Sequence, residues 1–433
     1  MISGKTLDKN KIILICYYTK PNRYSFNALT GAIEIKDDLK KLKILFPENK
    51  DDLVSSIKNT ISSFEKVIVG ISFTTNQLWN IWDILLDLRK KFGSKPLFIA
   101  GGPHPTGDPK GTLKLGFDAC VLGEGERTFP NILAQIKEGD DFRDINGIAY
   151  IDEAGKFIKK KITYYIDLND YPPFSVKYNK LGPIEITRGC PFLCYFCQTP
   201  YIFGAKSRHR SIESITEYVK ISKEHGFNDI RFISPNGFLY GSLDNTVNLN
   251  LIEELLSQIR KVMGSKGRIF FGSFPSEVRP ENVSKEVIDL IFKYANNDNL
   301  IIGAQSGSQE ILDKCNRGHT VEDIYNAVKC TINSGLKVNV DFIFGLPNET
   351  EEDVQKTIKV INDLTKLGAK IHAHTFIPLP GTPFQYKKPK RLSKNLRKQI
   401  SNLINQDLIY GDWRKQERFG RRITKYFAES KTN

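Results

Sequence analysis

Residues 186–197, ITRGCPFLCYFC, contain three of the seven cysteines of the chain, Cys190, Cys194 and Cys197. They directly follow a predicted strand, which places them in a loop at its carboxyl end. Three thiolates at this spacing fit three corners of an iron–sulfur cubane, whereas a structural zinc or a ferredoxin cluster takes a fourth protein ligand. No fourth cysteine lies nearby. The loop therefore predicts a [4Fe–4S] cluster with one iron open to a substrate or cosubstrate.

Two alternatives remain for this cysteine loop. It is a zinc knuckle that borrows a histidine such as His209, or it holds three reduced thiols. The other four cysteines lie in apolar or helical contexts, and we expect them to be small buried hydrophobes rather than ligands. These are Cys16, Cys120, Cys315 and Cys330.

Strand and helix patterns alternate after the loop, and the helices begin at recognisable caps, Ser211, Thr320 and Thr350. Six successive βα units predict a parallel sheet curved into a partial (β/α)6 TIM-type barrel, with function in the loops at the strand ends. The predicted strands are Pro183–Thr187, Asp229–Ser234, Arg268–Phe271, Leu300–Gln305, Val338–Phe344 and Lys370–Pro378.

The first third of the chain has a different pattern, with short apolar runs separated by helical periods such as Gln77–Phe92. It predicts an α/β, doubly wound (Rossmann-like) domain with a five-stranded sheet, whose ligands bind beyond the carboxyl ends of the strands. The predicted strands are Ile12–Tyr18, Leu42–Phe46, Lys66–Phe73, Pro96–Gly101 and Asp118–Gly123.

We divide the chain into four parts. Residues 1–140 are the Rossmann-like domain, and 141–180 are a hairpin linker with a turn at Asp152–Gly155. Residues 181–383 are the barrel, and 384–433 are a basic segment of helix and irregular structure.

Composition agrees with a globular protein of several domains: 433 residues, 40% hydrophobic and 26% charged. No apolar run approaches the roughly 20 residues that span a bilayer, and the start, MISGKTLDKNKI, lacks the apolar core of a signal peptide. We expect a cytoplasmic protein.

The net charge is +14, and residues 385–433 carry 14 Lys and Arg against four acidic residues. Such a tail suits nucleic acid, a membrane surface or an anionic substrate, and equally a solvated amphipathic helix.

The cysteine loop resembles the signature of the radical S-adenosylmethionine (SAM) superfamily. Three later segments also resemble it: 303–308 with 317–319, 341–350, and 376–383. The resemblance implies that SAM chelates the open iron and is cleaved to methionine and a 5′-deoxyadenosyl radical. The SAM-binding residues that it implies are Phe196, Ser234, Asn236, Glu277, Gln305, Ser306, Phe344 and Leu379.

One position departs from that family. Many members carry Gly-Gly-Glu after the second strand, where this chain has Ser234, Pro235 and Asn236. Ser234 and Asn236 are weaker partners for the methionine amine than a carboxylate. Glu277, at the end of the third strand, is an alternative source of that carboxylate, or else it forms a surface ion pair with Arg279.

The first domain resembles the cobalamin-binding domain of the cobalamin-dependent radical SAM branch. The Asp-x-His-x-x-Gly element by which some cobalamin proteins ligate cobalt is absent after Tyr18, which implies that no histidine of that motif ligates cobalt. For His104 we favour amide or phosphate bonding over cobalt contact. Thr74, Thr75 and Asn76 either bond corrin amides or cap the helix that follows. The implied cobalamin-binding residues are Thr74, Thr75, Asn76, Gly102, His104, Gly123, Glu124 and Gly125.

The resemblance implies an enzyme that uses a [4Fe–4S] cluster, SAM and cobalamin, with a ferredoxin or flavodoxin as one-electron donor. It most resembles a methyltransferase acting on an unactivated carbon or phosphorus centre. Relatives of the same layout also close rings or rearrange carbon skeletons. A tRNA-modifying radical SAM enzyme is a second alternative, disfavoured because the sequence shows no second cysteine cluster and no RNA-binding module. A non-enzymatic iron–sulfur or cobalamin carrier is a third, disfavoured because a carrier needs no open iron.

Overall fold

The computed structural model describes residues 12–432. The N-terminal stretch without a signal-peptide core, up to Lys11, lies outside the described residues. The described chain forms two compact units, one ending at Gly182 and one beginning at Pro183.

The first unit is an α/β fold built on one seven-stranded sheet of order β2-β1-β3-β4-β5-β6-β7. The first five strands are parallel, and the last two are antiparallel. The strands are β1 Ile12–Cys16, β2 Lys43–Leu45, β3 Lys66–Ser72, β4 Pro96–Gly101, β5 Ala119–Val121, β6 Ile148–Ile151 and β7 Phe157–Lys159. The α-helices are α1 Arg23–Glu34, α2 Lys50–Thr60, α3 Leu78–Phe92, α4 Pro103–Gly107, α5 Pro109–Lys114 and α6 Gly125–Glu138.

The five predicted strands all form, and their order places β1 and β3 side by side in the interior of the doubly wound sheet. Every residue of β1 is buried, as expected of a strand covered by helices on both faces. The predicted hairpin also forms, with its turn at Asp152–Gly155. It is more than a linker, because β6 pairs with β5 and extends the sheet by two strands.

The second unit is a partial barrel of parallel strands in two sheets, β12-β11-β8 and β13-β14-β15-β16, with the short β9-β10 ribbon beside them. A bridge between Val278 and Ile302 joins the two walls. The strands are β8 Ile184–Glu185, β9 Thr187–Arg188, β10 Arg208–His209, β11 Asp229–Ile233, β12 Arg268–Phe270, β13 Asn299–Gln305, β14 Lys337–Phe344, β15 Lys370–Thr375 and β16 Ile409–Tyr410. The helices are α7 Thr199–Phe203, α8 Ile212–Glu224, α9 Leu249–Met263, α10 Lys285–Tyr294, α11 Gln309–Lys314, α12 Val321–Asn333, α13 Glu351–Lys366, α14 Lys394–Asn405 and α15 Trp413–Thr432.

The predicted helix caps are confirmed. The hydroxyl of Ser211 accepts a hydrogen bond from the third residue of α8, and Thr320 and Thr350 do the same for α12 and α13. Each cap satisfies a backbone N–H that has no partner inside its helix. These helices therefore start where the sequence predicts.

The basic C-terminal segment is more ordered than predicted. It contributes β16, which pairs in parallel with β15, and α15, whose Trp413, Ile423 and Phe427 are buried. The barrel is thus extended by a seventh strand, and a large part of the segment is structural. Among the described residues, no helix combines the length and the apolarity needed to cross a bilayer.

Candidate active site

The cysteine loop follows β9 and opens into a cavity of about 440 Å³ at the carboxyl end of the barrel strands. Cys190, Cys194 and Cys197 all line this cavity. Cys194 is buried, and the other two are half-buried. The volume lies in the range of small-molecule sites, which is about 300–1,000 Å³.

A glycine fixes the entry to this loop. Gly189 has φ +86°, and a Cβ there would lie 2.2 Å from the carbonyl oxygen of Lys206. Only glycine fits such a position. The next residue, Cys190, donates its N–H to the carbonyl of Gly204 at 3.1 Å, which holds the start of the loop against the end of α7.

The sulfur spacing distinguishes a cubane from a single ion. Two thiolates on one zinc ion are at most about 4.6 Å apart, since Zn–S bonds are about 2.3 Å. Among the described residues, the cysteines do not form a group whose ligand atoms all lie within 4.8 Å of one another. His209 instead places its Nδ1 3.0 Å from the hydroxyl of Thr187. At least one pair of these sulfurs is therefore farther apart than a single zinc ion allows.

Burial makes these thiols costly to ionise without a cation. It raises the pKa of Cys190 to about 11 and also raises the pKa of Cys197. Iron ligation requires thiolates. Without a cation these buried groups stay protonated, so a bound cluster would have to supply the charge that compensates the thiolates.

Two buried arginines, which the sequence analysis did not assign to the cluster, point at Cys194. Arg317 Nη1 lies 3.6 Å and Arg279 Nη1 3.8 Å from its Sγ. Arg279 also packs over the Phe192 ring, 3.6 Å from the centroid, and Arg317 Nη2 donates to the carbonyl of Gly303 at 2.7 Å. Both guanidinium groups thus place positive charge beside a cluster ligand.

Arg279 forms its ion pair with Glu281, so the expected surface pair with Glu277 is wrong. Arg279 is only 3% exposed. Glu277 lines the cavity instead, and burial raises the pKa of its carboxyl group.

Four of the implied SAM-binding residues line the cavity with the cysteines: Phe196, Ser234, Glu277 and Gln305. Gln305 has φ +72° and sits at a bulge in the pairing of β13 with β14. Bulges re-aim side chains and are common beside active sites. This backbone irregularity is the strongest local sign that Gln305 has a functional position.

The other four are not among the cavity-lining residues. Asn236 donates to Asn282 Oδ1 at 2.7 Å and braces the loop after β11. The hydroxyl of Ser306 is 3.3 Å from that of Thr357, in the core. Phe344 is fully buried, and the carbonyl of Leu379 accepts from the hydroxyl of Thr382. In this structure all four hold the surrounding loops.

The implied cobalamin-binding residues come together at the carboxyl ends of β3, β4 and β5. Gly102 has φ +93°, and a Cβ there would lie 2.8 Å from Ser72 Oγ and 3.0 Å from the carbonyl oxygen of Phe73. The Gly123 N–H donates to Thr106 Oγ1 at 3.1 Å, which joins the β4 and β5 loops. Gly125 starts α6, and Asn76 lies in the turn before α3.

Four polar residues of this set have structural partners. Thr74 precedes α3, and its N–H donates to Gln77 Oε1 at 3.0 Å, so the capping alternative is realised. The His104 side chain is fully buried, stacks on Phe73 and places its Nδ1 3.1 Å from Thr75 Oγ1. Burial lowers the pKa of His104 to about 3, so the ring is neutral. Glu124 Oε2 accepts from the Ile166 N–H at 2.7 Å.

Comparison with known proteins assigns both units. Residues 184–361 match the radical SAM superfamily and residues 11–133 match the B12 binding domain. A putative methylthiotransferase, MJ0865, of Methanocaldococcus jannaschii is 31% identical over 316 residues, 72% of this chain and 68% of that protein. The chain belongs to the radical SAM superfamily, in the branch with a cobalamin-binding domain.

Two further comparisons agree with this radical SAM assignment. An uncharacterized methyltransferase, PH0819, of Pyrococcus horikoshii is 29% identical over 79% of this chain and 73% of its own length. The cobalamin-bound radical SAM methyltransferase TsrM of Kitasatospora setae has the same fold, with a TM-score of 0.68 at 18% identity over 87% of this chain and 77% of TsrM. OxsB, a cobalamin-dependent radical SAM enzyme, has a TM-score of 0.62 at 17% identity, over 82% of this chain and 52% of OxsB.

This radical SAM protein is therefore an enzyme whose cofactors are a [4Fe–4S] cluster, SAM and cobalamin. The three cysteines line one cavity of the second unit, and a hydrogen bond joins the loops that follow β4 and β5 in the first unit.

Proposed function

We propose that this enzyme is a cobalamin-dependent radical SAM methyltransferase that acts on an unactivated carbon or phosphorus centre. The observation that carries the proposal is the cavity in which three cysteines meet Glu277 and the bulged Gln305. The methyltransferase name of PH0819 supports methyl transfer as the overall reaction.

A bound cluster would supply the electron that cleaves one SAM to a 5′-deoxyadenosyl radical, and bound cobalamin would carry a methyl group from a second SAM. The residues of the chain bind these cofactors and orient them. Cys190, Cys194 and Cys197 would hold the cluster, and Arg279 and Arg317 would offset the thiolate charge. The electron comes from a ferredoxin or flavodoxin.

Glu277, Ser234 and Gln305 are the polar groups that face SAM in this proposal. An ionised Glu277 accepts from the methionine amine, in place of the Gly-Gly-Glu carboxylate that the chain lacks. Since burial raises its pKa, its charge depends on the cationic amine or another counter-charge arriving in the cavity.

A tRNA-modifying enzyme is the second candidate. A tRNA-2-methylthio-N(6)-dimethylallyladenosine synthase of Finegoldia magna is 32% identical over 42% of this chain and 38% of its own length, and α15 is strongly basic. However, the first unit contains only Cys16 and Cys120, both buried, and a second cluster there would need more thiolates. Methyl transfer to another substrate is the better proposal.

Anaerobic purification with iron, sulfide and corrinoid analysis tests the cofactors, and 5′-deoxyadenosine release with dithionite and SAM tests the cleavage. Cys194→Ala should lose iron and sulfide, keep the corrinoid and release no 5′-deoxyadenosine. The matched control is Cys330→Ala, a half-buried cysteine on α12 away from the cavity, which should behave like the wild type.

Methyl transfer is tested with methyl-labelled SAM and candidate small-molecule substrates. Label in the product supports methylation, whereas 5′-deoxyadenosine without label transfer supports a ring-forming or rearranging enzyme. Salt-sensitive binding of tRNA with labelled tRNA as product would favour the second candidate. Cluster and corrinoid without any 5′-deoxyadenosine would favour a carrier.

A further inference from the structure

Two histidines and an aspartate converge on the inner wall of the barrel, outside the residues assigned to the cluster and SAM. Asp341 on β14 pairs in register with His372 on β15, and His374 follows two residues later. Asp341 Oδ1 lies 3.2 Å from His372 Nδ1, which lies 3.1 Å from His374 Nε2. Among the described residues, this is the only group of three His, Cys, Asp or Glu residues whose ligand atoms all lie within 4.8 Å of one another.

Strand alternation puts this cluster in the barrel interior. Phe342 and Ala373, on the opposite face of the same strands, are fully buried, whereas the His372 and Asp341 side chains are 31% and 19% exposed. Residues at alternating positions of a strand face opposite sides. Asp341 also lines the cavity of the cysteines. The Asp341–His372–His374 cluster therefore borders the active-site cavity at Asp341.

The amide group of Gln416, on α15, lies beside the cluster. Gln416 Oε1 accepts from the Thr375 N–H at 2.7 Å, which turns its amide nitrogen towards His374 Nδ1 at 3.3 Å. A neutral His374 that accepts there carries its proton on Nε2 and donates to His372 Nδ1.

When the His374 proton is on Nε2, one contact of the cluster has no proton. His372 Nδ1 has a single lone pair, already used to accept from His374, and the Asp341 carboxylate oxygen faces the same atom. Two acceptors at 3.2 Å repel each other. A cation among the three atoms removes the conflict, because each then uses a lone pair as a ligand.

The spacing suits that cation. Ligands at about 2.1 Å from a metal are about 3.0 Å apart in an octahedron and about 3.4 Å apart in a tetrahedron. The two contacts of His372 Nδ1, 3.1 Å to His374 and 3.2 Å to Asp341, lie between these values. Two imidazoles with one carboxylate select a transition metal such as zinc or iron(II) over Mg²⁺ or Ca²⁺.

The rings are also held in place by the C-terminal segment. Tyr410 of β16 stacks on His372, with centroids 4.5 Å apart and planes 3° from parallel, and Gln416 of α15 contacts His374. These two contacts limit the rotation of the rings.

We propose that Asp341, His372 and His374 bind one divalent transition-metal ion, with its remaining coordination positions open to the barrel interior. Three protein ligands with open positions are the arrangement of catalytic rather than structural zinc. An oxygen-bearing substrate group is the ligand that fits those positions. The site is independent of the proposed methyl transfer, since binding is measured without turnover.

Gln416 gives the proposal a specific signature. A metal on His374 Nε2 moves the ring proton to Nδ1, where the Gln416 amide nitrogen cannot accept it. A carboxylate at this position accepts that proton and still accepts from the Thr375 N–H. Gln416→Glu should therefore tighten metal binding by about 10-fold, the lower end of such second-sphere effects.

The experiment uses tag-free holoenzyme with its cluster intact, stripped with EDTA and titrated with Zn²⁺ under anaerobic conditions. The wild type should bind one Zn²⁺ per chain at micromolar concentration or below. His374→Ala and Asp341→Asn should lose this zinc. Their iron and sulfide contents and their thermal unfolding should show that each variant is folded and retains its cluster. His225→Ala, an exposed histidine on another element, should retain it.

Three results would overturn the site: no zinc bound by the wild type at micromolar concentration, equal zinc in His374→Ala and the wild type, or weaker zinc in Gln416→Glu. Loss of 5′-deoxyadenosine release with zinc binding intact would count against the proposed function only.

Discussion

At the scale of single residues, Arg317 is the side chain whose charge acts most directly on the cysteine loop. Its guanidinium lies 3.6 Å from Cys194 Sγ and is fixed by the carbonyl of Gly303. Cluster potentials depend on nearby charge and on hydrogen bonds to sulfur. The residue therefore sets how easily the cluster is reduced.

Arg317→Met should make the cluster harder to reduce. A unit charge about 6 Å from the cluster at an effective dielectric of about 20 contributes ~2.8 kcal/mol, on the order of 100 mV. The midpoint, followed by electron paramagnetic resonance, should move to more negative potential. Arg317→Lys should recover most of the shift, and Arg268→Met, an exposed arginine, should cause none. An unchanged midpoint in Arg317→Met would refute this role.

Glu349 makes stability depend on pH. It is 1% exposed, and burial raises its pKa to about 8 although Oε2 accepts from the Gly345 N–H. A raised carboxyl pKa means that the folded state holds a proton that the unfolded state releases. Its stabilising contribution is complete below the ordinary value near 4.5 and is lost as the pH rises through about 8.

Glu349→Gln should remove this dependence, since its amide oxygen still accepts from Gly345. Between about pH 6 and pH 8.5 the wild type should lose stability relative to the variant, by at most about 1.4 kcal/mol per pH unit. Thermal unfolding at both pH values measures the difference. The exposed Glu352→Gln is the control, and parallel pH profiles for wild type and Glu349→Gln would contradict the assignment.

At the scale of elements, strand positions follow from the sequence because apolar runs and caps are local signals. The sequence does not predict β16, because a strand of two residues between basic helices has no recognisable hydrophobic periodicity. The sequence also does not predict which face of a strand each side chain occupies. Phe344 lies in a predicted strand but on its buried face, while Asp341 and His372 lie on the inner face. Sequence places such residues on a strand, but convergence of Asp341 with His374 depends on the register of two strands.

The loop after β4 depends on Gly102 for both backbone conformation and space. Gly102→Ala should destabilise the first unit by more than the roughly 1–2 kcal/mol of a left-handed residue alone, because its Cβ would contact Ser72 and Phe73. Corrinoid absorbance should fall while iron and sulfide remain. Gly155→Ala is matched, with φ +78° and open space around the Cβ. Equal effects of both substitutions would show that the crowding is unimportant.

At the scale of the whole molecule, the basic C-terminal segment poses a choice between a nucleic-acid surface and part of the barrel. Trp413 is 2% exposed, and its carbonyl accepts from the hydroxyl of Thr375 on β15. Glu417, also buried, pairs with Arg397 of α14 at 2.6 Å. The apolar face of α15 thus belongs to the second unit, while Lys415, Arg418 and Arg421 are exposed.

The two faces of α15 should therefore respond differently to substitution. Trp413→Ala should lower the free energy of unfolding by about 3–5 kcal/mol, as other buried aromatic truncations do. Replacing Lys415, Arg418 and Arg421 together with Gln should change stability by less than about 1 kcal/mol and leave 5′-deoxyadenosine release intact. Thermal unfolding and the release assay measure both. If the triple variant instead loses activity only on a nucleic-acid substrate, the charge serves recognition, and the tRNA-modifying alternative becomes the better account of this enzyme.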